Sequence, residues 1–174
     1  SVRFEGEDLP TLCSLDGEGC VLYAGSFSKI LAPGTRVGWC VGPAELIRTL
    51  AVFKQGADTS TSVVSQALVY KYCASGALDA NLPKIVDNYR RKRDLMEAAL
   101  RKYLPPGEAE WVTPHGGFFY WINVPGVNTD ELMKRALEKK VAFIQGSAFA
   151  VEPGACTNNA RLNYTYCSPE VIEE

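Results

Sequence analysis

The sequence predicts an α/β fold continued by a small α+β unit, and three observations carry that expectation. Two short, nearly continuous apolar runs, at 20–24 and 37–41, suit strands buried on both faces, as in the central sheets of α/β proteins. Helical periodicity dominates the middle of the chain, between residues 44 and 103. Short strand patterns punctuated by turn residues alternate with one further helix in the remainder. At 174 residues with 47% apolar side chains, the chain is long enough and apolar enough to pack a core.

Residues 3–19 read as loop, broken by Gly6, Pro10, Gly17 and Gly19. The second apolar run ends at Gly42-Pro43. Pro43 suits the first position of a helix over 44–54, because its missing N–H is unused there. The hydroxyl run Thr59-Ser60-Thr61-Ser62 offers N-caps for a helix reaching Ser75, which Gly76 closes. From 82 to 103, Leu82, Ile85, Val86, Tyr89, Leu95, Met96, Ala99 and Leu100 recur mostly at helical spacing. Between them Lys84, Asp87, Arg90, Arg91, Lys92, Arg93 and Glu97 form a charged face, expected to be solvated. Pro105-Pro106-Gly107 ends this helix.

Strands are expected at 110–113 and 118–124, flanking the turn Pro114-His115-Gly116-Gly117, in which His115 has no catalytic role. Phe118 to Trp121 are expected in core and interface. Thr129 is expected to cap a helix over 130–140, whose acidic start and Lys139-Lys140 end match the helix dipole. A strand at 141–145, an irregular loop over 146–159 and a strand at 160–166 follow. The last alternates Leu162 and Tyr164 with Arg161 and Asn163. Residues 170–174 begin a final helix. A boundary near residue 85 divides the chain into 1–84 and 85–174.

The formal charge of −2, without a basic block, gives no footprint for nucleic acid. No apolar run approaches the ~20 residues of a membrane span. The six cysteines form no Cys-x-x-Cys pair and His115 is the single histidine, so no metal site is expected. Thiols scattered in this way suit a reducing cytosol.

The densest chemical signal is Ser26-Phe27-Ser28-Lys29, followed by Pro33-Gly34-Thr35-Arg36-Val37-Gly38. A lysine at the mouth of an apolar strand follows two hydroxyls and precedes an arginine. An amine condenses with a carbonyl only when neutral, and a free lysine titrates near pH ~10.4. Enclosure at the end of a buried strand is expected to favour the neutral form. Hydroxyls and a forked guanidinium are the donors a phosphate monoester needs. Read alone, Ser-x-Ser-Lys is an ordinary surface loop. The flanking strand patterns, with glycines at 34 and 38 that permit close approach of a ligand, favour a site. Other motifs fit worse. There is no Gly-Lys-Ser/Thr, and residues 34–38 complete no Gly-x-Gly-x-x-Gly. Ser26 to Lys29 formally matches the Ser-x-x-Lys of penicillin-recognising enzymes, but their Ser-Asp-Asn and Lys-Thr-Gly are missing.

Tyr23-Ala24-Gly25-Ser26-Phe27-Ser28-Lys29 and Ala160-Arg161-Leu162-Asn163-Tyr164 together resemble the pyridoxal-phosphate-dependent aminotransferases of class I/II, fold type I. The likeness covers almost the whole chain. Arg3-Phe4-Glu5-Gly6 is similar to the segment after the family's ring-nitrogen aspartate, and Trp111 through Trp121 to the opening strands of its small domain. The resemblance implies the C-terminal part of such an enzyme: the C-terminal part of the large cofactor-binding domain over 1–84, and the small α+β domain over 85–174. It implies pyridoxal 5'-phosphate as cofactor, Lys29 as Schiff-base former and proton carrier, and Ser26, Ser28 and Arg36 as phosphate contacts. Arg161 would grip the substrate α-carboxylate. The implied reaction moves an amino group from an amino acid to a 2-oxo acid, in a cytoplasmic homodimer without metal, nucleic-acid or membrane partners. The family's aspartate, ring-stacking aromatic and glycine-containing phosphate loop have no counterpart here, so these residues alone are expected to be inactive. The alternative is the aminotransferase-like effector domain of a winged-helix transcription regulator, which carries the same lysine.

Overall fold

The computed structural model describes residues 2–173. They form two compact units, one of Val2 and Glu7–Ile85, the other of Arg3–Gly6 and residues 86–173. In the first, β1 (Tyr23–Ser26) pairs antiparallel with β2 (Gly38–Val41) as a two-stranded sheet. The first strand lies closer to Lys29 than expected, and the expected burial of both strands needs correction: Tyr23 of β1 is 38% exposed and Val41 of β2 52%. An apolar run states which side chains are available for burial. It does not supply the neighbouring strands and stacked layers that bury a central strand, and a two-stranded sheet lacks them.

α1 (Ala44–Asp58) runs past its expected end, held in its last turn by Lys54 Nζ 2.6 Å from Asp58 Oδ1. Pro43 is its N-cap rather than its first helical residue. α2 (Val63–Ala74) is capped by Ser62, whose hydroxyl accepts from the Ser65 amide. α3 (Ala77–Tyr103) starts earlier than its periodicity indicates and holds Pro83 inside it. Pro83 falls near the start of the helix, where its missing N–H leaves only the Asp79 carbonyl without its usual partner. The charged face of α3 is not uniformly solvated: Arg93 is buried, at 3% exposure, and Lys92 is half-buried and donates to the Thr165 carbonyl at 2.9 Å.

The second unit is built on a four-stranded antiparallel sheet in the order β3-β4-β6-β5. Its strands are β3 (Glu110–Trp111), β4 (Phe119–Asn123), β5 (Ile144–Gln145) and β6 (Asn159–Asn163). Tyr120 and Ile122 on β4 and Ala160 on β6 face a core completed by Leu100, Phe143 and Tyr164. α4 (Thr129–Glu138) is capped by Asn128, not by Thr129: the Asn128 side chain accepts from the Asp130 and Glu131 amides. Thr129 is instead fully buried, its hydroxyl 2.7 Å from the Asn159 carbonyl and 3.0 Å from that of Thr157. Residues 3–6, expected as plain loop, dock here. The Phe4 and Glu5 amides donate to the His115 carbonyl at 2.7 and 3.3 Å, beside a bridge from Arg3 to Gly116. α5 (Pro169–Glu173) ends the described chain, and Glu174 of the expected final helix lies outside it. Among the described residues, no helix is long and apolar enough to cross a membrane.

Candidate active site

Lys29 lies in a helical turn directly after β1. The Leu31 and Ala32 amides donate to the Phe27 carbonyl at 2.9 and 3.2 Å, and the Phe27 amide donates to Val37 at 3.1 Å. The Ser28 amide donates to Ser26 Oγ at 3.1 Å, fixing the entrance to the turn. Register sets Ser26 opposite Gly38, where a Cβ would come within 2.7 Å of the Gly25 carbonyl. Gly25 itself lies against the Trp39 indole, which also packs on Phe27 with ring centroids 4.9 Å apart. The turn is therefore shaped by backbone hydrogen bonds and by two glycines that admit close contact.

At the far end of the connection, Arg36 takes a left-handed backbone (φ 52, ψ 33), and its Nη1 makes a long 3.4 Å hydrogen bond to the Pro33 carbonyl. Both Lys29 and Arg36 are exposed, which corrects the expectation that a buried strand end encloses the lysine. Among the described residues Lys29 has no side-chain partner. No acidic residue occurs between Gly19 and Ala44. Ser26, Ser28, Lys29 and Arg36 are thus brought into one connection as hydroxyls and cations without a competing carboxylate, a donor set for a phosphate ester.

Arg161 belongs to the second unit. On β6 it lies opposite Trp121 of β4 and Ile144 of β5, on the sheet face away from the core. Its guanidinium carbon is 4.0 Å from the Phe119 ring centroid and 4.7 Å from that of Phe149. Phe149 comes from a 3-10 turn, Gly146–Phe149, inside the segment expected to be irregular. That turn is pinned twice. A Cβ on Gly146 would lie 2.5 Å from the Cys156 carbonyl, and Ser147 Oγ donates to Asp130 at 2.6 Å. Arg161 Nε is buried without a partner. A buried donor left unpaired costs about 1–3 kcal/mol, so this orphan has to be held in place by its surroundings.

Sequence reasoning missed a polar cluster beneath the sheet. Arg93 pairs with Glu5, lies 2.6 Å from Asp94, donates to the Pro114 carbonyl at 2.7 Å and sits over the Phe4 ring. Glu97 accepts from Tyr120 at 2.7 Å, Thr113 at 3.1 Å and Trp111 at 3.2 Å, with Arg101 2.6 Å away. Burial pushes the Glu97 carboxyl up, but the Tyr120, Trp111 and Thr113 hydrogen bonds and the Arg101 charge outweigh it and hold the group below its usual value. The Glu5 carboxyl is likewise lowered, mainly by its hydrogen bond from Arg93. Burial pushes the Tyr164 hydroxyl up to about 12. The only forewarning was charge at helical spacing, which does not distinguish a solvated from an enclosed arginine.

The lysine turn thus follows a β-ribbon in the first unit, and the ring-flanked arginine stands on a small sheet in the second. The family model for aminotransferases of class I and II matches residues 3–174. The aromatic-amino-acid aminotransferase 1 of Thermococcus litoralis is 40% identical over 174 residues, covering 99% of this chain and 41% of that protein. The crystal structure of Pyrococcus horikoshii kynurenine aminotransferase superposes with a TM-score of 0.93 at 38% identity, over 99% of this chain and 42% of the other. An uncharacterised HTH-type transcriptional regulator of Bacillus subtilis, YdfD, is 36% identical over 162 residues, covering 92% of this chain and 33% of the regulator. The chain belongs to the class I and II aminotransferase family, with the fold type I architecture of its structural neighbours. It spans about two fifths of the length of the enzymes it matches.

Proposed function

We propose that this chain carries the lysine, phosphate-anchoring and carboxylate-binding residues of a pyridoxal-phosphate-dependent transaminase, which moves an amino group from an amino acid to a 2-oxo acid. The observation that carries the reading is the Lys29 connection: an unpartnered amine, the Ser26 and Ser28 hydroxyls and Arg36, in a stretch free of carboxylates. This donor set fits pyridoxal 5'-phosphate, which when bound supplies an aldehyde for covalent attachment and a ring that draws electrons from the substrate α-carbon. Ser26, Ser28 and Arg36 hold the phosphate, the guanidinium through paired N–H donors. Lys29 Nζ is the attachment point. Its free amine would take a proton from the substrate α-carbon and return one. Arg161 binds the substrate α-carboxylate and fixes its orientation.

Kinship with aromatic-amino-acid and kynurenine aminotransferases supports a substrate with a large aromatic side chain. The working enzyme is a cytoplasmic homodimer, and residues 1–84 and 85–174 serve as its cofactor-binding part and its small domain. Lys29→Ala in the full-length protein is expected to abolish transamination and covalent cofactor attachment, read by borohydride trapping and peptide mass. Unchanged activity would eliminate the assignment. The 174 residues by themselves are expected to turn over no substrate, and a cofactor absorbance retained through dialysis would contradict that.

The likeness to YdfD supports a second reading, an effector domain of a winged-helix regulator. A basic helix-turn-helix in the coding sequence before Ser1, with sequence-specific DNA binding by the full-length protein, decides for the regulator.

A further inference from the structure

We propose that Phe119 and Phe149 are positioning residues that clamp the Arg161 guanidinium for end-on recognition of a carboxylate, an inference that rests on the role given to Arg161 above. The two rings lie 4.0 and 4.7 Å from the guanidinium carbon, close enough for their electron-rich faces to attract the cation. A neighbouring carboxylate would also hold an arginine, but it would occupy the donors and cancel the charge. A phenyl ring holds the cation while consuming none of its N–H groups.

The distribution of enclosed atoms sets the direction of approach. Nε is buried and unpartnered, while neither terminal nitrogen is an orphaned buried atom and neither has an acceptor among the described residues. The donors open to a ligand are therefore the terminal pair, whose fork matches the two oxygens of a carboxylate. The clamp is itself braced. Trp121 packs edge-on against Phe149 with centroids 5.6 Å apart, and the Gly146 and Ser147 contacts fix the turn that carries the ring. The surrounding apolar side chains lower the local dielectric and strengthen a charge-assisted bond made there.

The test uses the 174-residue chain labelled with ¹⁵N-arginine. The Arg161 Nε–H resonance, identified by its loss in Arg161→Lys, is followed during titration with 3-phenylpropionate and with its neutral amide. The unmodified chain is expected to bind the carboxylate in preference to the amide. Phe119→Leu and Phe149→Leu should each weaken the carboxylate about five-fold, as loss of a cation–π contact of this kind predicts. Amide affinity and thermal midpoint should stay unchanged, and Phe149→Tyr, which keeps the ring, should bind the carboxylate as the unmodified chain does. Equal weakening of both ligands would mean ordinary apolar packing and overturn the clamp. If Arg161→Lys, followed by calorimetry, abolishes carboxylate binding while both leucine variants retain it, the clamp fails and the carboxylate role stands. If Arg161→Lys binds the carboxylate as the parent chain does, or the parent chain does not bind it, both fail.

Discussion

Tyr120 and Tyr164 of the second unit are fully buried, in a cluster with Leu100, Ile122, Phe143 and Ala160. In the first unit Val69 is the buried apolar side chain among the described residues, while Phe53, Val63, Val64, Leu68 and Tyr70 are 64% to 72% exposed. The two arrangements give their candidate site residues different kinds of support. Arg161 stands on a packed sheet, so its orientation follows from contacts within its own unit. The Lys29 turn owes its shape to backbone hydrogen bonds and glycine contacts, and among the described residues its unit holds no buried cluster of comparable size. A site residue is as well placed as the layer that supports it.

Tyr120→Ala should have the largest effect, because it empties the centre of the packed unit. The expected loss is about 3–5 kcal/mol, measured by urea unfolding. Arg93→Met should cost about 2–3 kcal/mol, since it strips the Pro114 carbonyl of its donor while Glu5, half in water, relaxes into solvent. Calorimetric melting of the same domain checks it. Acid should act through Glu97. Its carboxyl is depressed in the folded state, so its contribution is present above the ordinary carboxylate value of 4.5 and is lost as pH falls through the lower folded value. Glu97→Gln should flatten the pH dependence of stability in that acidic range, and an unaltered profile would refute the linkage. Asn128→Ala should cost about 1 kcal/mol through loss of the α4 cap, against no more than a few tenths for Asn128→Asp. Phe53→Ala, 72% exposed, should change stability by less than about 0.5 kcal/mol. A loss as large as that of Tyr120→Ala would break the contrast between the units.

Period-two alternation made β6 legible in advance: it placed Arg161 and Leu162 on opposite faces, and the register agrees. The clamp was not legible, because Phe119 and Phe149 reach Arg161 through strand pairing and a compact turn, neither of which leaves a local pattern. The burial of Arg93 escapes the sequence for a related reason. Helical spacing put it on a charged face, and the docking of residues 3–6 then covered it. At the start of α4 both Asn128 and Thr129 are good capping types, and burial of the threonine hydroxyl decided between them. The exposure of Lys29 reflects the limit of composition, since an apolar run is the same string whether or not neighbours cover it.

At Gly25 an added methyl carbon would sit 2.2 Å from the Trp39 indole, far inside any tolerable separation. The two positions can therefore drift only as a pair. A randomised library at 25 alone should return glycine, whereas alanine becomes admissible once 39 carries a smaller residue. Such paired exchanges, scored by recovery of soluble protein, would give a direct reading of how tightly the ribbon beneath the lysine is interlocked.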